Sequence, residues 1–272
     1  MSIQYNSADF PPISPFSLRA YYAQIDRYSP HNTFDSHIHP HCEVYFNLSG
    51  DVSFMVENHI YPICPGSIIL TRPYEYHHCI YHSDAPHRHF CFWFSSEGNE
   101  HLLKPFFNRA AGEQNLLIPD DETMEQLTEL CTSMLEPTDE ANRYYQFFRF
   151  LHLLEKSSVT QPERRYPTDV TAALNYISSH LAEPLTVEDL ARLTFVSVNT
   201  LERHFATYLN MSPSVYIKKK RLANAAKLLA SGCSVAEASE QSGIPDYSYF
   251  ISIFRRNFGI TPLQYRKKHA GK

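Results

Sequence analysis

At 272 residues the chain is long enough for two ordinary domains. With 43% hydrophobic and 19% charged residues it can bury real cores and is not a disordered polymer. No apolar run reaches the ~18 residues of a membrane helix. The opening MSIQYNSADFPPISPF has no basic start followed by an apolar stretch, which speaks against a secretory signal. Six scattered cysteines without a CxxC pair exclude a disulfide framework or zinc finger and fit a reducing cytosol. The net charge of -5 hides a split. Residues 168–272 carry 13 Lys+Arg against 8 Asp+Glu, whereas residues 1–167 carry 11 against 21, so only the second half suits a polyanion.

Eleven of the 15 histidines fall between His31 and His101, in a stretch rich in aromatic and β-branched residues. CEVYFNLSG, DVSFMVEN, HIYPI, GSIILT and HRHFCFWF are short runs of period-two character separated by Gly, Pro, Asn or Ser. With Leu18–Asp26 they predict roughly eight short strands before residue 96. Glu57-Asn58-His59 reads as a hairpin turn, and Pro62 and Pro65 bracket the end of the next strand. Such a series predicts a sandwich or barrel.

From Pro119 the period becomes helical. Met124, Leu127, Leu130, Cys131, Met134 and Leu135 form one stripe; Tyr144, Phe147, Phe148, Leu151 and Leu154 form a second. The pair reads either as a dimerisation element or as helices packed on the barrel or on each other. Residues 161–167, QPERRYP, are polar and proline-punctuated and read as an interdomain linker. The expected division is 1–110, 111–167 and 168–272.

The last segment contains an internal repeat. Leu201, Phe205, Leu209, Ser212, Pro213 and Tyr216 align with Phe250, Phe254, Phe258, Thr261, Pro262 and Tyr265 at a constant offset of 49. Each copy is an amphipathic helix, a turn and a Ser/Thr-Pro start, in which the hydroxyl caps free N–H groups and proline has none to lose. A shorter helix precedes each. Thr186 and Ser234 are its expected caps, the second in a capping box with Glu237, and Ser197 and Asp246 are expected to cap the longer helices. Helix, tight turn and capped second helix is the helix-turn-helix plan, and two copies at a fixed offset are a strong signal.

Here the sequence resembles the AraC/XylS family of bacterial transcription regulators. The text that carries the resemblance is LTVEDLARLTFVSVNTLERHF, SPSVYIKKKRLANAAKLLASG and SVAEASEQSGIPDYSYFISIFRRNFGITPLQYR, essentially all of residues 168–267. The resemblance implies that each unit lays its second helix in the major groove and that one long helix, about Val215 to Leu229, joins them. It points to Asn199, Glu202 and Arg203 on the first reading helix and to Tyr247, Ser248, Ile251 and Ser252 on the second. Arg255 and Arg256 are expected to meet phosphate. For Glu202 a solvated charge is the alternative, and for Arg203 a phosphate contact. The chain departs from the family at Ile244, Ser252, Ser239 and Phe195. The loss of the usual arginine at Ser252 leaves shape and phosphate reading as the second helix's expected role.

His37, His39, Glu43 and Gly50 stand as His-x-His, three residues, Glu, six residues, Gly. His37 and His39 share a strand face at period two, to which Glu43 can return. The pattern resembles the first cupin motif, whose side chains line a barrel and bind a metal. Pro73-Tyr74-Glu75-Tyr76-His77-His78 supplies the second-motif histidine, either His77 or His78. Three imidazoles and a carboxylate suit a divalent Zn, Mn, Fe or Ni. Without a metal, His37, His39, Glu43 and His77 would line an effector pocket. Tyr45, Tyr61, Tyr74 and Trp93 are stacking candidates for a sugar, with plain core the alternative for Trp93. His82, His87 and His89 read as surface or edge residues.

The sequence thus predicts an α+β multidomain protein: an N-terminal cupin-like β-barrel, a helical linker and a C-terminal all-α tandem helix-turn-helix. The resemblance implies a non-enzymatic, cytoplasmic bacterial regulator that binds double-stranded DNA under a small-molecule effector, as a homodimer and with RNA polymerase as a further partner. The rival reading is a metal-dependent cupin enzyme fused to a helical domain.

Overall fold

The structure, a computed structural model, describes residues 17–25, 38–159 and 166–270. His37 and residues 160–165, most of the expected linker 161–167, lie outside the described residues. The period-two runs form β1 (Leu18–Ile25), β2 (Cys42–Ser49), β3 (Val52–Val56), β4 (His59–Ile63), β5 (Ile68–Thr71), β6 (His77–Tyr81) and β7 (His87–Phe94). After them come α1 (Lys104–Phe107), β8 (Leu116–Ile118), α2 (Asp121–Leu135), α3 (Glu140–Lys156) and β9 (Ser158–Val159). Asp120 and Asp139 cap α2 and α3, each accepting from the backbone N–H three residues on at 2.8 Å.

The strands make two sheets, six-stranded in the order β1-β7-β2-β5-β8-β9 and three-stranded in the order β4-β3-β6. The expected cupin-like barrel does not form. Closure requires every edge strand to find a partner. Among the described residues β4 and β6 pair only with β3, while β1 and β9 end the larger sheet, so both sheets stay open. Period-two patterning predicts strands and faces but says nothing about which edges join.

The outer faces are covered by helices instead. Val44, Phe46, Leu70, Phe90 and Phe92 pack with Leu127, Leu130, Phe147, Phe150 and Leu151 of α2 and α3. The central residues of both helical stripes are therefore buried on the larger sheet and on each other, while Leu135 stays exposed and Met124, Tyr144 and Phe148 are partly buried. On the smaller sheet Met55, Ile60, Tyr76 and Ile80 join the core of the C-terminal helices. Tyr45, Val52, Phe54, Tyr61 and Ile69 fill the space between the sheets. The layers run helices, sheet, sheet, helical domain. With both faces covered, every residue of β3 is buried.

The C-terminal domain comprises α4 (Thr168–Ser179), α5 (Val187–Leu193), α6 (Val198–Leu209), α7 (Pro213–Ala230), α8 (Val235–Gln241), α9 (Tyr247–Phe258) and α10 (Pro262–His269). Thr186, Ser197, Ser212, Ser234, Asp246 and Thr261 cap their helices as expected, and Ser234 and Thr261 do so in capping boxes. Leu201, Phe205, Phe250 and Phe254 are fully buried. The tight turns cross the left-handed region at Phe195 (φ 57°) and Gly243 (φ 69°). Asn210 and Gly259 end α6 and α9 in the same conformation.

Candidate effector site and DNA-facing helices

The register of β2 against β7 sets Glu43 directly opposite Trp93. The Trp93 indole N–H donates to Glu43 Oε2 at 2.7 Å. The same oxygen lies 2.9 Å from His39 Nε2 and 3.2 Å from His77 Nε2. Glu43 and His77 are buried, with His39 and Trp93 partly so. His77, not His78, meets Glu43, because successive strand residues face opposite ways; His78 sits with Tyr76 on the other face, their rings 5.9 Å apart. His37, expected beside them, lies outside the described residues.

The second nitrogen of each histidine determines what this cluster can do. His39 Nδ1 is 3.1 Å from the His41 carbonyl and His77 Nδ1 is 2.7 Å from the Glu75 carbonyl. A carbonyl only accepts, so both Nδ1 atoms carry the hydrogen and both Nε2 atoms turn to Glu43. Two arrangements satisfy them. Protons on both Nε2 atoms make two donors to the carboxylate, or two Nε2 lone pairs and the carboxylate coordinate a cation. His39, Glu43 and His77 offer ligand atoms within 4.8 Å of one another and could coordinate a metal ion.

Burial alone would raise the Glu43 carboxyl, but the His77 charge and hydrogen bonds from His39 and His77 hold it well below the usual carboxylate range. Burial pulls His77 down, and Glu43 more than compensates, leaving it raised.

Further along the same interior face the expectation for two histidines fails. His87 and His89, read as surface or edge, are 1% and 4% exposed. Their strand turns both inward, diagonal to Tyr45, whose register partner is Cys91. His87 Nε2 is bonded to the Tyr45 hydroxyl, and the His89 ring stacks on Tyr45 at 4.5 Å. Burial lowers both, and with His87 adding repulsion it takes His89 to about 3. His82 is half-buried and bonds Ser53 Oγ at 2.8 Å. Gly50 is needed where it stands: at φ 118°, a Cβ there would lie 2.5 Å from His87 Nδ1.

Of the stacking candidates, Tyr45, Tyr61 and Trp93 face the interior, but the Tyr61 hydroxyl is committed elsewhere. It donates to the Gly112 carbonyl at 2.8 Å, and Tyr74 occupies a turn at φ 63°. Of the cysteines, Cys42, Cys91 and Cys131 are buried and Cys79 partly so. Burial raises all four thiols, Cys79 to about 12, whereas Cys64 is exposed and Cys233 half-buried.

Sequence reasoning missed Arg109. Its guanidinium grips Glu75 with two 2.9 Å bonds, and Glu75 also accepts from Gly112 N at 2.8 Å. This buried pair pins the β5–β6 turn that delivers His77. The only signal was an acidic residue where the resembled motif has glycine.

On α6 the side chains of Asn199, Glu202 and Arg203 are exposed, as are Tyr247, Ser248, Ser252, Arg255 and Arg256 on α9; Ile251 is half-buried. The opposite face of each helix is in the core.

Two family models match this architecture. Residues 190–268 match a helix-turn-helix domain, and residues 20–155, half of the chain, match an AraC-like ligand binding domain. The chain belongs to the AraC family. Similar AraC-family relatives include the HTH-type transcriptional activator RhaS of Citrobacter koseri, 25% identical over 88% of this chain and 89% of that protein. RhaS of Escherichia fergusonii is 27% identical over 54% of this chain, a match that spans only 56% of that protein's length. A crystal structure of a Chromobacterium violaceum regulator with an AraC-type DNA-binding domain is 33% identical, covering 38% of this chain and 93% of that one, with a TM-score of 0.36. AraC-family regulators are a non-catalytic class, so family membership supports the non-enzymatic reading over the cupin enzyme. Among the described residues no helix is long and apolar enough to cross a membrane.

Proposed function

We propose that the chain is a sequence-specific, double-stranded-DNA-binding transcription regulator that senses a small molecule in its N-terminal domain. The observation that carries this is the pair α6 and α9: both are capped at the start and apolar on the buried face. Both present Asn199, Glu202 and Arg203, or Tyr247, Ser248, Ser252, Arg255 and Arg256, to solvent. In this reading residues 1–110 sense the effector, 111–167 link and dimerise the chain, and 168–272 bind DNA in the cytoplasm, with RNA polymerase as the downstream partner. Selecting an operator from random duplexes tests it. Enrichment of one two-part site, with preference relaxed at one or two base pairs in Arg203→Ala, is expected; binding without sequence preference would refute it.

The effector site in this reading is the interior lined by His39, Glu43, His77 and Trp93, with His37 a further member. An aromatic wall beside a few convergent polar groups suits a small polar organic molecule such as a sugar. A second reading, a divalent cation held by His39, Glu43 and His77, is favoured by the two Nδ1–carbonyl bonds, which direct both Nε2 lone pairs to one point. Metal analysis of protein purified without added metal, compared with Glu43→Gln, separates them: stoichiometric metal lost in the variant supports the cation, and none in either supports the organic effector.

A further inference from the structure

The contact between the smaller sheet and the DNA-binding domain is polar at its centre. Glu57, in the β3–β4 turn, holds a left-handed backbone (φ 54°). Its backbone N–H donates to the Tyr76 carbonyl at 2.7 Å, and its Oε1 accepts from the Tyr76 N–H at 2.9 Å. Its other carboxylate oxygen is bonded to the Lys220 ammonium, and its own carbonyl accepts from the Tyr216 hydroxyl at 3.2 Å. Lys220 is 5% exposed, with its nitrogen 5.1 Å from the centre of the Tyr76 ring. Lys220 and Tyr216 belong to α7, the helix that joins the two helix-turn-helix units.

Lysine is rarely buried without a reason, and removing one partner of a buried pair leaves an uncompensated charge. Here the pair also has a direction. Tyr76, which Glu57 holds by two backbone-level bonds, is the residue before His77. His77 points inward to Glu43, and Tyr76 points outward to Lys220 and Tyr216, its ring 6.1 Å from that of Tyr216. His77 and Tyr76 are consecutive, and the Tyr76 backbone is bonded to Glu57, so the two bonds link the His77 backbone to Glu57. Nearby, Asn210, which ends α6, donates to the Tyr81 carbonyl at 2.8 Å, so β6 touches the first reading helix as well as α7.

We propose that Glu57 and Lys220 are positioning residues for DNA recognition: they seat α7 on the sensor domain and pass the state of the Glu43–His77 site to the reading helices. This rests on the effector-site reading above. The pair acts through α7, since a lysine so buried cannot reach phosphate.

The test uses the full chain and an operator selected from random duplexes, with thermal unfolding to confirm that each variant is folded. Lys220→Met and Glu57→Gln should each change operator affinity by about fivefold or more. The double variant should change it no further than the singles, Lys220→Arg should restore it, and the salt dependence should keep its slope. Unchanged affinity in folded variants, or a slope reduced by about one ion in Lys220→Met, would overturn the positioning role. Glu43→Gln then tests transmission. An effect on operator affinity in the parent chain that vanishes in Lys220→Met supports it, and an equal effect in both backgrounds overturns it while leaving the sensor reading intact. No effect in either, with Lys220→Met still active on affinity, overturns transmission and the sensor reading together.

Discussion

The two helix-turn-helix units share one backbone plan and place different demands on one position. At the tight turn both pass through the left-handed region, with Phe195 at φ 57° and Gly243 at φ 69°. A Cβ at Gly243 would lie 2.4 Å from the Leu181 carbonyl oxygen, so the second unit's turn is pressed against the chain leading into α5. The first turn faces open solvent, and Phe195 is 96% exposed. Equal backbone geometry therefore does not mean equal constraint: glycine is required by packing in one copy, whereas the other tolerates a bulky residue at a conformational cost.

The largest effects should be those the two units share. Phe205→Ala and Phe254→Ala each remove a fully buried ring and should each cost about 3–5 kcal/mol in denaturant unfolding. A cost below ~1 kcal/mol for either would show that one unit does not belong to the cooperative core. Next comes the asymmetry at the turn. Gly243→Ala should cost about 2 kcal/mol or more, combining left-handed strain with the clash against Leu181. Phe195→Ala should stay within ~0.5 kcal/mol; equal losses would dissolve the distinction.

The reading helices should differ in kind. Arg203→Ala should weaken operator binding by ~1–3 kcal/mol and relax preference at one or two base pairs. Arg255→Ala should weaken binding on all sequences and lower the salt slope by about one. Titrations of matched and scrambled duplexes at two salt concentrations separate these, and identical behaviour would merge the two roles. A comparably small effect is expected of Phe195→Gly, which relieves the strained turn at some entropic cost and should shift stability by less than ~0.5 kcal/mol in denaturant unfolding.

The DNA-binding domain was legible almost residue by residue because its determinants are local. Caps such as Ser197 and Asp246 act on backbone three residues away, and the stripe Leu201-Phe205-Leu209 lies within one helix. The sensor domain was legible only as strands. The hairpin at Glu57-Asn58 followed from turn chemistry. The meeting of Glu43 with a histidine of the second motif was expected only from the resemblance, which left His77 and His78 open, and His39 reaches Glu43 from the segment before β2, not from a strand face. Which edges stay open did not follow, because closure depends on partners far away in the chain. The burial of His87 and His89 was hidden because His87-Arg88-His89 is polar throughout, so nothing in residue type marks the inward face, although the strand buries both histidines and exposes Arg88 between them. The Glu75–Arg109 and Glu57–Lys220 pairs span 34 and 163 residues, and no local pattern announces them.

The distribution of thiols makes the molecule its own reporter. Cys64, exposed just after β4, and Cys233, in the turn after α7, sit on opposite sides of the contact between sensor and DNA-binding domains. The remaining four are shielded and held protonated by burial. A thiol-reactive dye should therefore mark Cys64 first and Cys233 next, giving a donor and acceptor pair across that contact without engineering a residue. Later, slower labelling of the shielded thiols would time the opening of the cores themselves, with Cys131 marking the helices on the larger sheet and Cys91 the interior beside Glu43.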